Sequence, residues 1–208
     1  LPILTLTGNI FTFEGVCEME RSIKAAIAKG VTVVVAAGND SSDTKEFCPA
    51  KIEECVTVAA SSKDTMRTAP FSNYGKAVDV AAPGEGILSC KTGGGYVAYD
   101  GTSMATPFVA AAAAMLLTDN IKLSPAQVHS KLRSSCSDIY TKGWDRYSGC
   151  GMLDLGILLG DKNIYSDYLD IDTEEVNMKY FSKAATVLRN PVLSVITNDK
   201  RRVTDGVL

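Results

Sequence analysis

Between Gly30 and Gly38 the chain carries an unbroken run, Val31–Ala37, in which nearly every side chain is apolar or β-branched. A strand with no polar alternation offers no face to water, so both of its faces must be covered. That requirement points to a parallel sheet sandwiched between helices. The preceding residues agree. Met19, Ile23, Ala26 and Ile27 recur at helical spacing and Gly30 is placed to stop the helix. Leu1–Thr7, ending at Gly8, reads as a short buried strand. Strand, helix and strand in so few residues form a βαβ unit, whose crossover is right-handed as a rule.

The pattern continues downstream. Short strands are predicted around Val56–Ala60 and Ala77–Ala81, after a polar loop at Asp40–Glu46. Ile87–Ser89 and Tyr96–Tyr99 flank Gly93–Gly95 and read as a hairpin. From about Ser103 the pattern changes: Val109, Ala110–Ala114, Met115 and Leu116 are apolar nearly all round, which predicts a fully buried helix. Ser124, Pro125 and Gln127 make a capping-box start for a helix running through Leu132. Met152–Leu159 is a further apolar segment ending at Gly160. Alternation of this kind predicts an α/β, three-layer fold with a mostly parallel sheet. Past Gly160 the character changes, and we divide the chain into residues 1–160 and a tail or extension, 161–208. In the tail, Val176–Arg189 has the look of an amphipathic helix and Pro191–Thr197 of a strand.

Composition narrows the function. Twenty-four acidic residues against 21 basic ones argue against a nucleic-acid binder that works by neutralising phosphates. The longest apolar run, Val109–Leu117, is about half of what a membrane span needs. The six cysteines, Cys17, Cys48, Cys55, Cys90, Cys136 and Cys150, form no C-x-x-C pair, and with a single histidine, His129, a zinc site is not expected. Disulfides and buried free thiols both remain open for them.

Two short segments carry chemistry. Gly101-Thr102-Ser103-Met104-Ala105-Thr106-Pro107 lies between a strand end and the long apolar helix. A serine at a helix N-terminus sits beside unpaired N–H groups and partial positive charge, which favour an alkoxide or an oxyanion there. Gly101 lets another backbone approach. The plain alternative is that Ser103 is only an N-cap. Gly38-Asn39 directly follows the Val31–Ala37 strand, where α/β folds place ligand sites. A carboxamide there can donate to an oxyanion, or be simple turn chemistry.

Together these segments resemble the subtilisin-like serine proteases. Gly101–Pro107 matches that family's nucleophile motif, and Val33-Val34-Val35-Ala36-Ala37-Gly38-Asn39 is similar to its oxyanion-hole strand. Pro49-Ala50 with Val56-Thr57-Val58, Phe71-Ser72-Asn73-Tyr74-Gly75, Val80-Ala81-Ala82-Pro83-Gly84, Ser124–Val128 and Gly151-Met152-Leu153-Asp154 follow in family order. The resemblance covers roughly residues 1–160. It implies a serine endopeptidase with Ser103 as nucleophile. Asn39 would donate to the tetrahedral oxyanion beside the Ser103 N–H, with Thr102 in support. Thr5, Leu6, Thr7 and Gly8 would pair with extended substrate backbone. Ala36, Ala37 and Gly38 would form one wall of the primary specificity pocket. Met104 should be oxidation-sensitive. Asp40 at the pocket rim would favour a basic side chain, whereas Phe47 at the pocket floor would favour small groups.

The departures matter equally. In this family the order is Asp, His, Ser, so the Asp and His motifs would precede Leu1 and these residues would be the C-terminal part of an N-terminally incomplete catalytic domain. His129 lies in no family motif and reads as a packing or surface histidine. Loss of the base costs roughly 10⁶-fold in turnover in subtilisin, so these 208 residues alone are expected to be inactive. The first strand, lacking upstream neighbours, would be an exposed edge that lowers solubility. Phe108 and Ala111 stand where the family usually has His and Gly, and are expected to affect packing only. Asn39-Asp40-Ser41 fits the glycosylation pattern, but enclosure at a strand end should leave Asn39 unmodified. The resemblance implies a polypeptide substrate, leaves room for a propeptide and for calcium held by upstream segments, and assigns no metal or cofactor to this chain. Family habit favours secretion or the secretory pathway. A rival reading is a catalytically inactive pseudoprotease that binds extended peptides. Another is an amidase or esterase, against which the lack of a G-x-S-x-G elbow argues.

Overall fold

The computed structural model describes residues 3–8, 10–11, 18–65 and 67–160. The division at residue 160, and the helix and strand expected within 161–208, therefore lie outside the described residues. In chain order the elements are β1 (Ile3–Leu6), β2 (Ile10–Phe11), α1 (Glu18–Ala28), β3 (Thr32–Ala36), a 3₁₀ turn (Thr44–Glu46), β4 (Phe47–Cys48), β5 (Val56–Ser61), β6 (Val78–Pro83), β7 (Ile87–Cys90), β8 (Tyr96–Tyr99), α2 (Thr102–Asp119), α3 (Pro125–Ser134), β9 (Cys136–Ser137), β10 (Met152–Leu153) and α4 (Leu155–Leu159). Six strands form one sheet in the order β1-β3-β5-β6-β10-β9, parallel throughout except for the β10–β9 pair.

The β-branched run behaves as its composition requires: all five residues of β3 are buried. Successive side chains of a strand point to opposite faces. Val34 packs with Val56, Val58 and Val80 against Val109, Ala112, Ala113 and Leu116 of α2 and Val128 and Leu132 of α3. Val33 and Val35 point the other way, toward Ile23 of α1, Ile52 and Cys55. One strand thus feeds two cores, which makes the three-layer α/β arrangement. Burial of each such aliphatic side chain stabilises by about 1.5–3 kcal/mol.

Three local differences from the sequence reading have clear causes. Helix α2 is not buried all round. Ala105, Val109, Ala112, Ala113, Leu116 and Leu117 face the sheet, while Pro107, Phe108 and Ala111 are exposed, Phe108 by 45%. Small side chains let α2 lie close on the sheet, but only one side of a helix can do so. Phe108 and Ala111 therefore play no part in the α2 core. The segment from Met152 to Leu159 is a strand and a helix, divided by Asp154, whose carboxylate caps the N–H groups of Gly156 and Ile157. The β2–β4 ladder, Ile10↔Cys48 and Phe11↔Phe47, had no sequence signal. The capping box at Ser124 and Gln127 forms in both directions. Cys48 is disulfide-bonded, whereas Cys55, Cys90, Cys136 and Cys150 are free. Among the described residues no helix is long and apolar enough to cross a membrane.

Candidate active site

Strands β1, β3 and β6 run parallel, so their C-terminal ends meet along one edge of the sheet, where the N-terminus of α2 also lies. In open α/β sheets this is the edge at which ligands bind. Two glycines bring α2 to it. Gly101 has φ 152° and ψ 158°, a conformation that only glycine adopts without strain. Its N–H donates to the Gly84 carbonyl at 2.8 Å. A side chain on Gly84 would sit 2.4 Å from the Ala60 Cβ and 3.0 Å from the Gly101 carbonyl, so Gly84 is where β6 and the start of α2 touch.

Ser103 lies in the first turn of α2, half-buried, and its hydroxyl donates to the Thr7 carbonyl at 3.2 Å. The N-cap residue of α2 is Gly101, which has no side chain to cap the helix. The Thr102 N–H is taken up by the Asn39 carboxamide oxygen at 2.9 Å, and the Met104 and Ala105 N–H groups by the Gly101 carbonyl. The Ser103 N–H has no partner among the described residues and remains a free donor.

Asn39 follows β3 and is exposed. Its Oδ1 accepts from both the N–H and the hydroxyl of Thr102, each at 2.9 Å. A backbone N–H can only donate, so this pairing fixes which way the carboxamide faces. The Nδ2 group is turned toward Gly101, 3.5 Å from where a Cβ would stand. Two N–H donors, from Asn39 and Ser103, thus border the open face of Gly101. The Thr102 hydroxyl also accepts from the buried Gly38 N–H at 3.2 Å, tying the end of β3 to α2.

The residues named for the nucleophile, the oxyanion and substrate pairing lie at the ends of β1 and β3 and the start of α2, whereas Phe47 lies in β4, in the separate β2–β4 sheet. Thr5 and Leu6 end β1, and Thr7 and Gly8 follow it, Thr5, Thr7 and Gly8 being exposed. On its other side β1 has no neighbouring strand among the described residues. Ala36, Ala37 and Gly38 are buried at the end of β3. Asp40 is exposed and Phe47 is 6% exposed in β4. The exposure of Asn39 removes the enclosure expected to protect it from glycosylation; what engages its carboxamide instead is Thr102. One residue at this edge went without a role in the sequence reading. Asn73, fully buried, makes hydrogen bonds to four positions of the loop that carries Asn39. Its signal was a lone amide inside an apolar segment, which has to find partners once buried.

His129 is elsewhere. Its Nε2 lies 2.8 Å from Oδ1 of Asp79, although off the line a hydrogen bond needs. Asp79 is second in β6, and four further residues of strand, at about 3.3 Å each, separate it from the edge that bears Ser103. Asp79 also accepts from the Thr57 N–H at 2.9 Å and from Arg133 at 3.2 Å. The single histidine is thus a packed, paired residue at the opposite end of the sheet.

A sequence model of the subtilase family, peptidase S8, matches residues 11–151, more than half of the chain. The chain belongs to the subtilase family. Among curated relatives of this subtilase, the alkaline serine exoprotease A of Vibrio alginolyticus is 40% identical over 119 residues, covering 57% of this chain and 22% of that one. The alkaline elastase YaB of Bacillus sp. (strain YaB) is 38% identical over 125 residues, covering 60% and 32%. The subtilase therefore spans less than a third of the length of these relatives. Among solved structures, a protease of Pseudoalteromonas arctica PAMC 21717 superposes with a TM-score of 0.69 at 28% identity, covering 76% of this chain and 50% of the other. A cold adapted subtilisin-like serine proteinase superposes with a TM-score of 0.61 at 32% identity, covering 73% and 52%. The subtilase has the α/β fold of these neighbours.

Proposed function

We propose that this chain supplies the nucleophile and the oxyanion hole of a serine endopeptidase. The observation that carries the reading is that two donors without a partner among the described residues, Asn39 Nδ2 and the Ser103 N–H, border the open face of Gly101 beside Ser103 at a helix N-terminus. Ser103 Oγ attacks the scissile carbonyl carbon while a general base takes its proton. The carbonyl oxygen, now negative, is held by Asn39 and the Ser103 N–H. Collapse expels the amine, which takes the proton back, and leaves an acyl-enzyme that water hydrolyses by the same steps. Thr102 already orients the Asn39 carboxamide and the backbone of α2 holds the Ser103 N–H, so little reorganisation accompanies charge development.

The substrate polypeptide extends along Thr5, Leu6, Thr7 and Gly8, whose backbone offers strand pairing, with Ala36, Ala37 and Gly38 walling the pocket beside the scissile bond. His129 lies against Asp79 at the opposite end of the sheet, so the base for Ser103 comes from outside these 208 residues. The chain on its own is therefore inactive. The Cys48 disulfide supports an oxidising, secretory setting, as does the chain's similarity to an extracellular serine proteinase of Thermus sp. (strain Rt41A), 40% identical over 132 residues. No cofactor is assigned to this chain.

The test is labelling of the full-length protein with a fluorophosphonate probe. Labelling should map to Ser103 and vanish in Ser103→Ala. Absence of labelling in the wild-type protein would leave the peptide-binding, non-catalytic reading in its place.

A further inference from the structure

Asn73 is 0% exposed, yet it is a polar residue in the loop between β5 and β6, with no role in the chemistry just described. Its carbonyl accepts from the neighbouring Ser72 hydroxyl at 3.2 Å, while its side chain and its backbone N–H all bond to one short stretch of chain. Its Nδ2 donates to the Ala37 carbonyl at 3.0 Å. Its backbone N–H donates to the Gly38 carbonyl at 2.9 Å. Its Oδ1 accepts from the Asp40 N–H at 2.8 Å and the Ser42 N–H at 3.0 Å. These contacts bracket Asn39 on both sides. The loop there has no ladder of its own, and it passes through Ser41 at φ 51°, an uncommon conformation for a residue with a side chain. Asn73 supplies the partners that a regular strand or helix would have supplied.

We propose that Asn73 is the positioning residue of the oxyanion donor. It fixes the backbone at Ala37–Ser42, and Thr102 then fixes the carboxamide that this backbone presents. A carboxamide suits the position because it donates and accepts at once. Leucine, of similar volume, does neither. Aspartate keeps the two accepted bonds but sets a carboxylate oxygen against the Ala37 carbonyl. The assignment rests on the reading of Asn39 as the oxyanion donor, because a loosened loop slows the reaction only if Asn39 takes part in it.

The experiment uses the full-length protein with Asn73→Leu, Asn73→Asp and, as a control for lost stability, Val128→Ala, a fully buried core residue of α3. Displacing a catalytic group by about 1 Å costs up to about 10²-fold in rate. Asn73→Leu should lower kcat, and the rate of Ser103 labelling, by about 10–10²-fold with KM within about 2-fold, and Asn73→Asp should fall between it and wild type. Val128→Ala should lower the thermal midpoint without changing kcat below that midpoint. The NMR signals of the Asn39 side-chain amide, assigned with an Asn39→Asp variant, give a readout independent of turnover. They should shift or broaden in Asn73→Leu and stay in place in Val128→Ala. Unchanged Asn39 signals in a folded Asn73→Leu protein, or a rate loss in Val128→Ala equal to that in Asn73→Leu, would overturn the proposal. If wild type fails to label, the catalytic reading falls while the NMR arm still decides what Asn73 holds.

Discussion

The carboxamide oxygen of Asn39 accepts from the backbone N–H and the hydroxyl of Thr102, both at 2.9 Å, across 63 residues of sequence. The neighbour of the proposed nucleophile thereby sets the direction in which the proposed oxyanion donor points. Thr102 is itself fully buried, and its hydroxyl holds the Gly38 N–H as well. Thr102→Val removes both interactions at nearly constant shape. It should lower kcat of the full-length protein by roughly 10-fold with little change in KM, and lower stability by about 1–3 kcal/mol because the Gly38 N–H is left buried without a partner. Thr102→Ser should recover most of both. Steady-state kinetics and denaturant unfolding check this.

Asn39→Asp separates holding the fold from holding the oxyanion. The carboxylate still accepts from Thr102, so the folded state is kept. The Nδ2 donor is gone, only the Ser103 N–H remains, and a negative charge faces the developing oxyanion. Labelling of Ser103 should slow by at least 10²–10³-fold, the loss that removal of this kind of donor causes in subtilisin itself. A folded Asn39→Asp protein that labels at the wild-type rate would remove Asn39 from the site.

Gly84→Ala tests the contact between β6 and the start of α2. The added methyl would lie 2.4 Å from the Ala60 Cβ and 3.0 Å from the Gly101 carbonyl. Neither neighbour is the end of a flexible chain, so the backbone has to move. Overpacking of this kind typically costs about 1–3 kcal/mol. Gly101 should move with it, so the Ser103 labelling rate should drop together with the unfolding midpoint.

Burial pushes the Cys55 thiol up from 9.0 to about 12, with Glu54 and Asp79 adding to it. Burial does the same to Cys136, with Cys150 adding to it. Both should stay unreactive toward a thiol-specific disulfide reagent at pH 8 until the protein is denatured, while exposed Cys90 reacts at once. Above about pH 9 the unfolded chain releases these protons and the folded chain keeps them, so the folded state loses relative stability up to about pH 12. Cys55→Ala should flatten this alkaline decline, measured by unfolding at several pH values.

Asp79 binds β5 to α3 through the Thr57 N–H and Arg133. Asp79→Ala leaves the Thr57 N–H buried and unpaired and Arg133 without its acceptor. Because the Arg133 side chain is exposed and can be solvated, the expected loss is set by the Thr57 N–H, about 1–3 kcal/mol, read by denaturant unfolding. His129→Ala should cost less, since its Nε2 makes no well-aligned hydrogen bond.

The layered fold was legible because burial leaves local marks. The β-branched run at β3, the helical spacing of Met19, Ile23 and Ile27, and the cap at Ser124 are each set by neighbours a few residues away. Helix α2 misled in one respect: an apolar sequence shows that a helix has little polar surface, not which of its faces finds a partner. Phe108 is exposed for that reason. The division of Met152–Leu159 was missed because Asp154, read only as the end of a motif, acts through a cap.

By itself the sequence determined the α/β class, the chemical identity of Ser103 and Asn39, and the want of a second histidine, since these follow from residue types and their local order. The tertiary structure decided which groups face one another. Parallel pairing carries the ends of β1, β3 and β6 to one edge, where Thr102 orients Asn39 and Asn73 grips its loop, while the same pairing leaves His129 and Asp79 at the other end. Hydrogen bonds between residues 31–64 apart in sequence depend on strand order and register. No local pattern encodes those, because the energy that selects them comes from the burial of whole faces against one another.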